Sequence, residues 1–427
     1  MRKELGLVIY YKKENRYSFN ALLGALETQD FYKHITIYLF EKEENLLNNL
    51  KTIIEKHNSV VLAFSFFTTQ LWSIKSLIKN IRKNYNRKII IIAGGPHPTG
   101  DPFFTIKLGF DYVVMGEGEE TFIEVIKRLL EEKDLKDLKG IAFLDEENNL
   151  RYNKKDEFLD FNKYPPFSIK NNKFGPIEIT RGCPFVCYFC QTPYIFGTKI
   201  RHRSIEKICE YVEIMKARGL TDIRFITPNA FSYGSYDGRN LNIKKLEELL
   251  ESIRKILTSK GRIFFGSFPS EVRPEHVSEE TVKLIKEYAN NDNLVIGAQS
   301  GSPRILDLSH RGHTVEDVYN AVEITIKAGL KPYVDFIFGL PYETAEDIKL
   351  TIRMIEDLIK MGAKIHAHTF IPLPQTPFSK MPAGRINDEL VKVLNKLISK
   401  SFVFGNWKEQ EKIAKKLEKY FKNFYLK

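Results

Sequence analysis

Cysteine is nearly missing from this chain: 427 residues contain 4 Cys, beside 2 Trp and 6 Met. So few thiols cannot form a disulfide framework for a protein of this length, which fits a reducing compartment. No uninterrupted apolar run reaches the ~18 residues of a membrane span, and Met1-Arg2-Lys3-Glu4 leads into an apolar stretch without the order of a signal peptide. A soluble, cytoplasmic protein is expected, with no membrane partner and working as a monomer. No repeat of roughly 20–50 residues is visible, which excludes a solenoid. The Gly-x-Gly-x-x-Gly of dinucleotide binders is also missing.

What is present is a globular composition, with 43% hydrophobic and 12% aromatic residues. The length calls for two or three domains with full cores. The balance of 65 Lys+Arg against 54 Asp+Glu gives +11, which suits RNA or an acidic partner. The excess is spread along Lys-rich helices and thickens only at Lys412–Lys427. It reads as the solvated, Lys/Glu/Ile-rich surface of heat-adapted proteins, and RNA is the weaker candidate.

Apolar strands alternate with amphipathic helices twice over. Over residues 1–135, runs at Leu5–Tyr11, Ile35–Phe40, Val60–Phe66, Ile89–Ala93 and Tyr112–Met115 are separated by segments such as Ser73–Asn84. Continuous apolar strands between helices predict a parallel, doubly wound, Rossmann-like α/β domain with its ligand at the carboxyl ends of the strands. Residues 136–168 read as a linker, holding a hairpin-like pair around Glu147-Asn148-Asn149 and ending near Pro165-Pro166. Over 169–385, strands near Ile177–Thr180, Ile223–Ile226, Ile263–Ser267, Leu294–Ala298, Tyr333–Phe338 and Ile365–Phe370 alternate with five helices. Six such units predict a partial (β/α)6 barrel with its site at the carboxyl-terminal rim. Residues 386–427 read as a charged helical segment.

Three of the four cysteines, Cys183, Cys187 and Cys190, fall within "TRGCPFVCYFCQTP", just after the first barrel strand. A structural zinc site is closed by four ligands, and no fourth Cys or His pairs with these at a finger spacing. Three thiolates can instead hold a 4Fe-4S cluster that leaves one iron open. Cys209 reads as a packed thiol inside a helix.

The Cys-x3-Cys-x2-Cys spacing, with Phe189 before the last cysteine, resembles the signature of the radical S-adenosylmethionine (SAM) superfamily. The resemblance implies that the open iron binds the amino and carboxylate groups of SAM and that Phe189 packs on its adenine. It further assigns SAM contacts to strand ends: Thr227, Pro228 and Asn229 after the second strand, where the usual Gly-Gly-Glu is absent; Ser267, Ser270 and Glu271 in "GSFPSEVRPE"; Gln299 and Ser300 in "GAQSGSPRIL"; Arg311 in "SHRGHT"; and Leu340 in "FIFGLPYET".

The first domain carries "SFFTTQ" (Ser65, Phe66, Phe67, Thr68, Thr69, Gln70), "GGPH" (Gly94, Gly95, Pro96, His97) and "GEGE" (Gly116, Glu117, Gly118, Glu119) at successive strand ends. These loops look like those of the cobalamin-binding domains fused ahead of many radical SAM proteins, and imply cobalamin as a third cofactor. The first strand end, "YYKKENRYSF", lacks the Asp-x-His-x-x-Gly that gives other cobalamin proteins a histidine on cobalt. Tyr10 and Tyr11 are the groups placed nearest that position, with a core role the alternative for each. Together the resemblances span about nine-tenths of the chain. They imply a class B methyltransferase-like enzyme, in which one SAM methylates reduced cobalamin and a second gives the radical that activates an unactivated carbon. The substrate would be a protein, a peptide or a small molecule, and the electron donor a ferredoxin or flavodoxin. Ring cyclisation, contraction or reduction is the non-methylating alternative, and a cobalamin- or redox-sensing binding protein the alternative outside enzymes.

Overall fold

The structure is a computed structural model that describes residues 4–85, 89–155 and 157–425. Met1–Lys3, read above for a leader, and the last two residues of the basic stretch lie outside the described residues. The chain divides into two units, Met1–Gly175 and Pro176–Lys427.

The first unit is built on a seven-stranded sheet. Its strands are β1 (Leu5–Tyr10), β2 (Ile35–Phe40), β3 (Ser59–Ser65), β4 (Ile90–Gly94), β5 (Tyr112–Val114), β6 (Ile141–Leu144) and β7 (Leu150–Tyr152), in the order β2-β1-β3-β4-β5-β6-β7. β1 to β5 pair in parallel, and β6 and β7 are antiparallel. β1, LGLVIY, is buried along its whole length, as expected for a central parallel strand covered on both faces. Helices α1 (Arg16–Glu27) and α6 (Glu119–Leu130) pack together over one face, with Phe19, Leu23, Leu26, Phe122 and Ile126 meeting Leu5, Leu7 and Ile9. The remaining helices of this unit are α2 (Glu43–Lys56), α3 (Leu71–Tyr85), α4 (Pro96–Gly100) and α5 (Pro102–Lys107).

The linker expected over 136–168 is corrected here. Its hairpin is β6 and β7, which extend the sheet past β5 and satisfy an edge that would otherwise present unpaired backbone groups. Leu135, Leu138, Leu159 and Tyr164 enter the same core. The segment beyond is fastened by the carboxylate of Glu27, which accepts from the Ser168 hydroxyl, from the backbone N–H groups of Ile169 (2.8 Å), Lys170 (3.0 Å) and Asn171 (3.1 Å), and from the Asn171 amide. Five donors on one buried carboxylate hold residues 168–171 inside the first unit rather than at the head of the barrel.

The second unit is an open barrel in two parallel arcs. Strands β8 (Ile177–Glu178), β11 (Asp222–Ile226) and β12 (Arg262–Phe264) form one arc, ordered β12-β11-β8. The other runs β13 (Asn293–Gln299), β14 (Lys331–Phe338), β15 (Lys364–Thr369) and β16 (Val403–Phe404). Between β8 and β11, the short antiparallel ribbon of β9 (Thr180–Arg181) and β10 (Arg201–His202) brackets the cysteine loop. The arcs are joined by hydrogen bonds from Val295 N–H to Gly266 C=O (3.0 Å) and from Val272 N–H to Val295 C=O (2.8 Å).

Helices α7 (Thr192–Phe196), α8 (Ile205–Ala217), α9 (Ile243–Leu257), α10 (Glu279–Tyr288), α11 (Pro303–Leu308), α12 (Val315–Lys327) and α13 (Ala345–Met361) lie between the strands. Ser278, Thr314 and Thr344 cap α10, α12 and α13 with hydroxyls that accept from the third residue of each helix. Residues 386–427 are not only helical. They form α14 (Asp388–Ser399), β16 and α15 (Trp407–Tyr425), and β16 pairs in parallel with β15, adding a further strand-and-helix unit. Among the described residues no helix is long and apolar enough to cross a membrane.

Candidate active site

The cysteine loop is shaped by backbone that other residues could not adopt. Gly182 has φ +83°, and a Cβ there would stand 2.1 Å from the Lys199 carbonyl oxygen. Cys183 N–H donates to Gly197 C=O (3.1 Å), Cys190 N–H to Cys187 C=O (3.0 Å) and Tyr188 N–H to Ser309 C=O (3.0 Å), which ties the loop to the segment after α11. Cys187 is buried, and Cys183 and Cys190 are half-buried. Burial pushes the Cys183 thiol up and the Cys190 thiol up to about 12, with the Thr192 hydroxyl pulling the latter down. Such thiols stay protonated until a metal displaces the protons.

The residues fit an iron–sulfur cluster on their donor chemistry. Among the described residues the three sulfurs do not form a group with all ligand atoms within 4.8 Å of one another. A single zinc ion, with bonds of ~2.3 Å, would draw them closer than that. Spread thiolates of the softest donor type suit a larger cluster. Cys209 lies half-exposed on α8, less packed than expected.

Arg311 stands beside the loop. Its guanidinium donates through Nη2 to Gly297 C=O (2.7 Å) and through Nη1 toward Cys187 Sγ (3.6 Å), while its buried Nε has no partner. Gly297 makes this approach possible, since a Cβ there would be 2.6 Å from Arg311 Nη2. Burial raises the Glu271 carboxyl to about 6, with Arg311 lowering it, Asp335 raising it and Arg273 lowering it. The Ser267 hydroxyl is buried with no partner. A guanidinium N–H and a hydroxyl left unmatched in the interior are the kind of groups a zwitterionic ligand such as SAM would satisfy.

The other expected SAM residues are placed as follows. Phe189 packs with Tyr188 against the apolar cluster of Ile305, Leu340, Phe370 and Phe378. Thr227 donates to Asn229 C=O (3.0 Å), and Asn229 accepts from Arg273 N–H (3.2 Å) and meets His276 Nδ1 at 2.6 Å. Between them, Pro228 is half-buried. Ser270 donates to Phe225 C=O (2.9 Å). The polar atoms of these three side chains thus shape their own loops. Gln299 sits buried at φ +73°, next to a bulge in the pairing of β13 with β14. Ser300 accepts from Ser302 N–H (3.2 Å) and lies near Thr351 of α13. Sequence reasoning missed Gly297 and Arg273, whose guanidinium lies 3.5 Å from the centre of the Phe185 ring and pairs with Glu275.

In the first unit the strand order reverses between β1 and β3, which makes the crevice at their carboxyl ends the expected ligand position. Asn15, missed in the sequence, bridges those two ends by donating to Tyr10 C=O (3.0 Å) and Ser65 C=O (2.8 Å). Tyr10 is buried against Phe64, and the Tyr11 hydroxyl donates to Asn20 (2.6 Å). In the SFFTTQ loop Ser65 and Phe66 are buried, Phe67 and Thr69 are exposed, and Gln70 accepts from Phe67 N–H (2.9 Å). Gly95 has φ +91°, and a Cβ there would stand 2.7 Å from Ser65 Oγ and 3.1 Å from Phe66 N. Gly94 and Pro96 flank it, half-buried. His97 is buried, lies tilted against the Phe66 ring and shares a hydrogen bond between Nδ1 and Thr68 Oγ1 (3.1 Å), and burial lowers its pKa to about 3.

Gly116, at φ +65°, donates to Thr99 Oγ1 (3.1 Å). The Glu117 carboxylate accepts from Leu159 N–H (2.9 Å), Gly118 precedes α6, and Glu119 is buried in its first turn. Two glycine turns and a buried, neutral histidine make a close-approach edge that fits a large flat cofactor better than a phosphate.

Two halves of this description match known families. Residues 17–126 match the B12 binding domain, and residues 177–355 match the radical SAM superfamily. Together the two matches place a B12 binding domain ahead of a radical SAM domain in one chain, the arrangement of the cobalamin-dependent radical SAM proteins, which this chain resembles and whose cofactors are cobalamin, a 4Fe-4S cluster and SAM. It is 27% identical over 334 residues to an uncharacterized methyltransferase of Pyrococcus horikoshii, covering 74% of this chain and 68% of that one. It is 29% identical over 356 residues to a putative methylthiotransferase of Methanocaldococcus jannaschii, covering 80% and 72%. In fold it is similar to the radical SAM methyltransferase TsrM of Kitasatospora setae, solved with cobalamin and a 4Fe-4S cluster bound, with a TM-score of 0.68 at 18% identity over 90% of this chain and 75% of that one.

Proposed function

We propose that the chain is a methyltransferase that alkylates an unactivated carbon of a protein, peptide or small molecule. The observation that carries this reading is the cysteine loop beside a buried, partly unmatched Arg311, in one chain with a B12-binding unit that places no histidine after its first strand. When bound, the cluster and SAM supply a hydrogen-abstracting radical and cobalamin supplies the methyl group. Cys183, Cys187 and Cys190 hold the cluster, while Arg311 and Ser267 receive SAM. Leu340, Phe370 and Phe378, with Phe189, keep water from that side of the pocket. In the first unit Gly95 and Gly116 let backbone meet the corrin closely, and buried His97 supports the loop without acting as a base.

The cysteine count favours methyl over methylthio transfer. Adding sulfur needs a sulfur source besides SAM, such as a second cluster with cysteine ligands of its own, and Cys209 is the one cysteine left over within these 427 residues. A ferredoxin or flavodoxin would reduce the cluster, and the enzyme would act as a monomer. The test is product analysis of reduced, reconstituted protein given SAM and hydroxocobalamin. One S-adenosylhomocysteine per bound corrinoid is expected before any substrate is added. 5′-Deoxyadenosine without S-adenosylhomocysteine would move the assignment to non-methylating chemistry.

A further inference from the structure

On the barrel's inner face, one row of paired residues crosses four strands: Gly297 of β13 pairs with Asp335 of β14, Asp335 with His366 of β15, and His366 with Phe404 of β16. The same face of β14 carries Ile337, which packs, as do Tyr188 and Phe189 of the cysteine loop, against the apolar cluster of Ile305, Leu340, Phe370 and Phe378. The opposite face carries Val334, Phe336 and Phe338, which are fully buried. Two residues along β15, on the side of His366, lies His368.

Three donor atoms converge there. His366 Nδ1 is 3.0 Å from Asp335 Oδ1, and His368 Nε2 is 3.1 Å from His366 Nδ1. All three lie within 4.8 Å of one another. With the Gln410 amide as placed, protons alone leave one conflict. Gln410 is oriented by its Oε1, which accepts from Thr369 N–H (2.9 Å), so its Nε2 faces His368 Nδ1 (3.3 Å) as a donor. That puts the His368 ring proton on Nε2, aimed at His366 Nδ1. His366 Nδ1 would then have to accept from His368 and donate to Asp335 with one atom. A small turn of the Gln410 amide relieves it, and then either a His366 proton shared with Asp335 or a cation held by all three atoms fits the 3.0–3.1 Å separations; three converging ligand atoms of this kind are the set that a cation takes. Phe404 stacks on His366 with centroids 4.6 Å apart and planes 7° from parallel, which fixes the ring.

We propose that Asp335, His366 and His368 form a second metal site in the barrel, for a divalent transition ion such as Zn²⁺, Fe²⁺ or Mn²⁺, whose open positions accept an oxygen donor of the substrate. Two imidazoles and one carboxylate from adjoining strands are the ligand set that leaves such ions with free coordination positions. Its neighbours across the row, Gly297 and the Arg311 guanidinium above it, lead directly to Cys187. The second ion thus stands on the face where the substrate carbon would be presented, and it selects a substrate with a carboxylate, hydroxyl or phosphate near that carbon.

The site is separable from the cluster, so the metal site can be tested apart from the proposed function. Full-length protein with Cys183, Cys187 and Cys190 all changed to Ala would be dialysed against Co²⁺. One equivalent is expected to remain, with visible bands of nitrogen and oxygen ligation and no thiolate charge transfer. His368→Ala and the near-isosteric Asp335→Asn, added singly, should weaken retention at least tenfold while unfolding at the same temperature as the parent without metal. Retention of no Co²⁺ by the folded parent, or the same retention in both variants, would overturn the site. Oxalate serves as the oxygen-donor probe and should shift the bands; an unchanged spectrum would overturn the open positions.

Discussion

Changing Gly95 to Ala tests whether the B12-type edge depends on close approach of backbone to backbone. Two costs arise, and they can be separated. The residue has φ +91° and ψ −174°, a region essentially reserved for glycine, where a Cβ costs ~1–3 kcal/mol. The same Cβ would lie 2.7 Å from Ser65 Oγ and 3.1 Å from Phe66 N, an overpacking of ~1–3 kcal/mol. Together they amount to about 2–6 kcal/mol, which a domain of ordinary stability can survive. Urea unfolding followed at 25 °C should show that loss, and gel filtration with hydroxocobalamin should show failure to retain the corrinoid. Ser65→Gly combined with Gly95→Ala removes the nearer obstacle, so the double variant should recover part of the overpacking share and none of the backbone share. A loss below ~0.5 kcal/mol with full cobalamin retention would refute the close-approach reasoning, since surface changes without a named mechanism fall in that range.

Three other outcomes are expected. Ala at any of Cys183, Cys187 or Cys190 should abolish the cluster absorbance and SAM cleavage in the reconstituted protein, whereas Cys209→Ala should leave both unchanged. In cluster-free protein, buried thiols with raised pKa bind more protons than unfolded thiols of ~8.5, so stability is full below about that pH and declines as pH climbs toward the raised values; melting temperatures between pH 7 and 10 should fall in the parent and flatten in Cys190→Ala, and equal slopes would contradict the burial of that thiol. Bound cob(II)alamin should show no nitrogen superhyperfine splitting from the protein, because His97, the one histidine of the first unit at the carboxyl edge, is buried against Phe66, while His34 and His57 precede β2 and β3 at the other edge; a splitting that vanishes in His97→Ala would reverse that assignment.

The parts legible in the sequence were those coded by neighbouring residues. The run LGLVIY announced a central strand because it is apolar throughout, and it is buried throughout. The cysteine loop was legible from a spacing of three and two, and the helices after the barrel strands from the alternation of apolar runs with amphipathic segments. What stayed hidden depended on partners far along the chain. The hairpin at 141–152 has the same pattern whether it floats in a linker or joins a sheet, and the edge of β5 decided between these. Glu117 looked like part of a ligand loop, yet its carboxylate accepts from a backbone N–H 42 residues later. β16 is two residues long, too short for any periodicity to register.

The row that ends at β16 shows why such a short strand matters. Strands that close a barrel are most stable with apolar residues on the inner face, and each buried polar group left imperfectly matched costs ~1–3 kcal/mol. Here an inner row holds Asp335 and His366, with His368 beside them, where three branched aliphatic residues would pack without any such cost. The segment beyond residue 385, which reads as a tail, supplies both groups that hold this arrangement, Phe404 against the His366 ring and Gln410 against His368. A helical tail that only covered the barrel would need neither. The carboxyl-terminal strand and helix therefore belong to the chemistry of the barrel, and the polar row they buttress is where the specificity of this enzyme for its substrate should be sought.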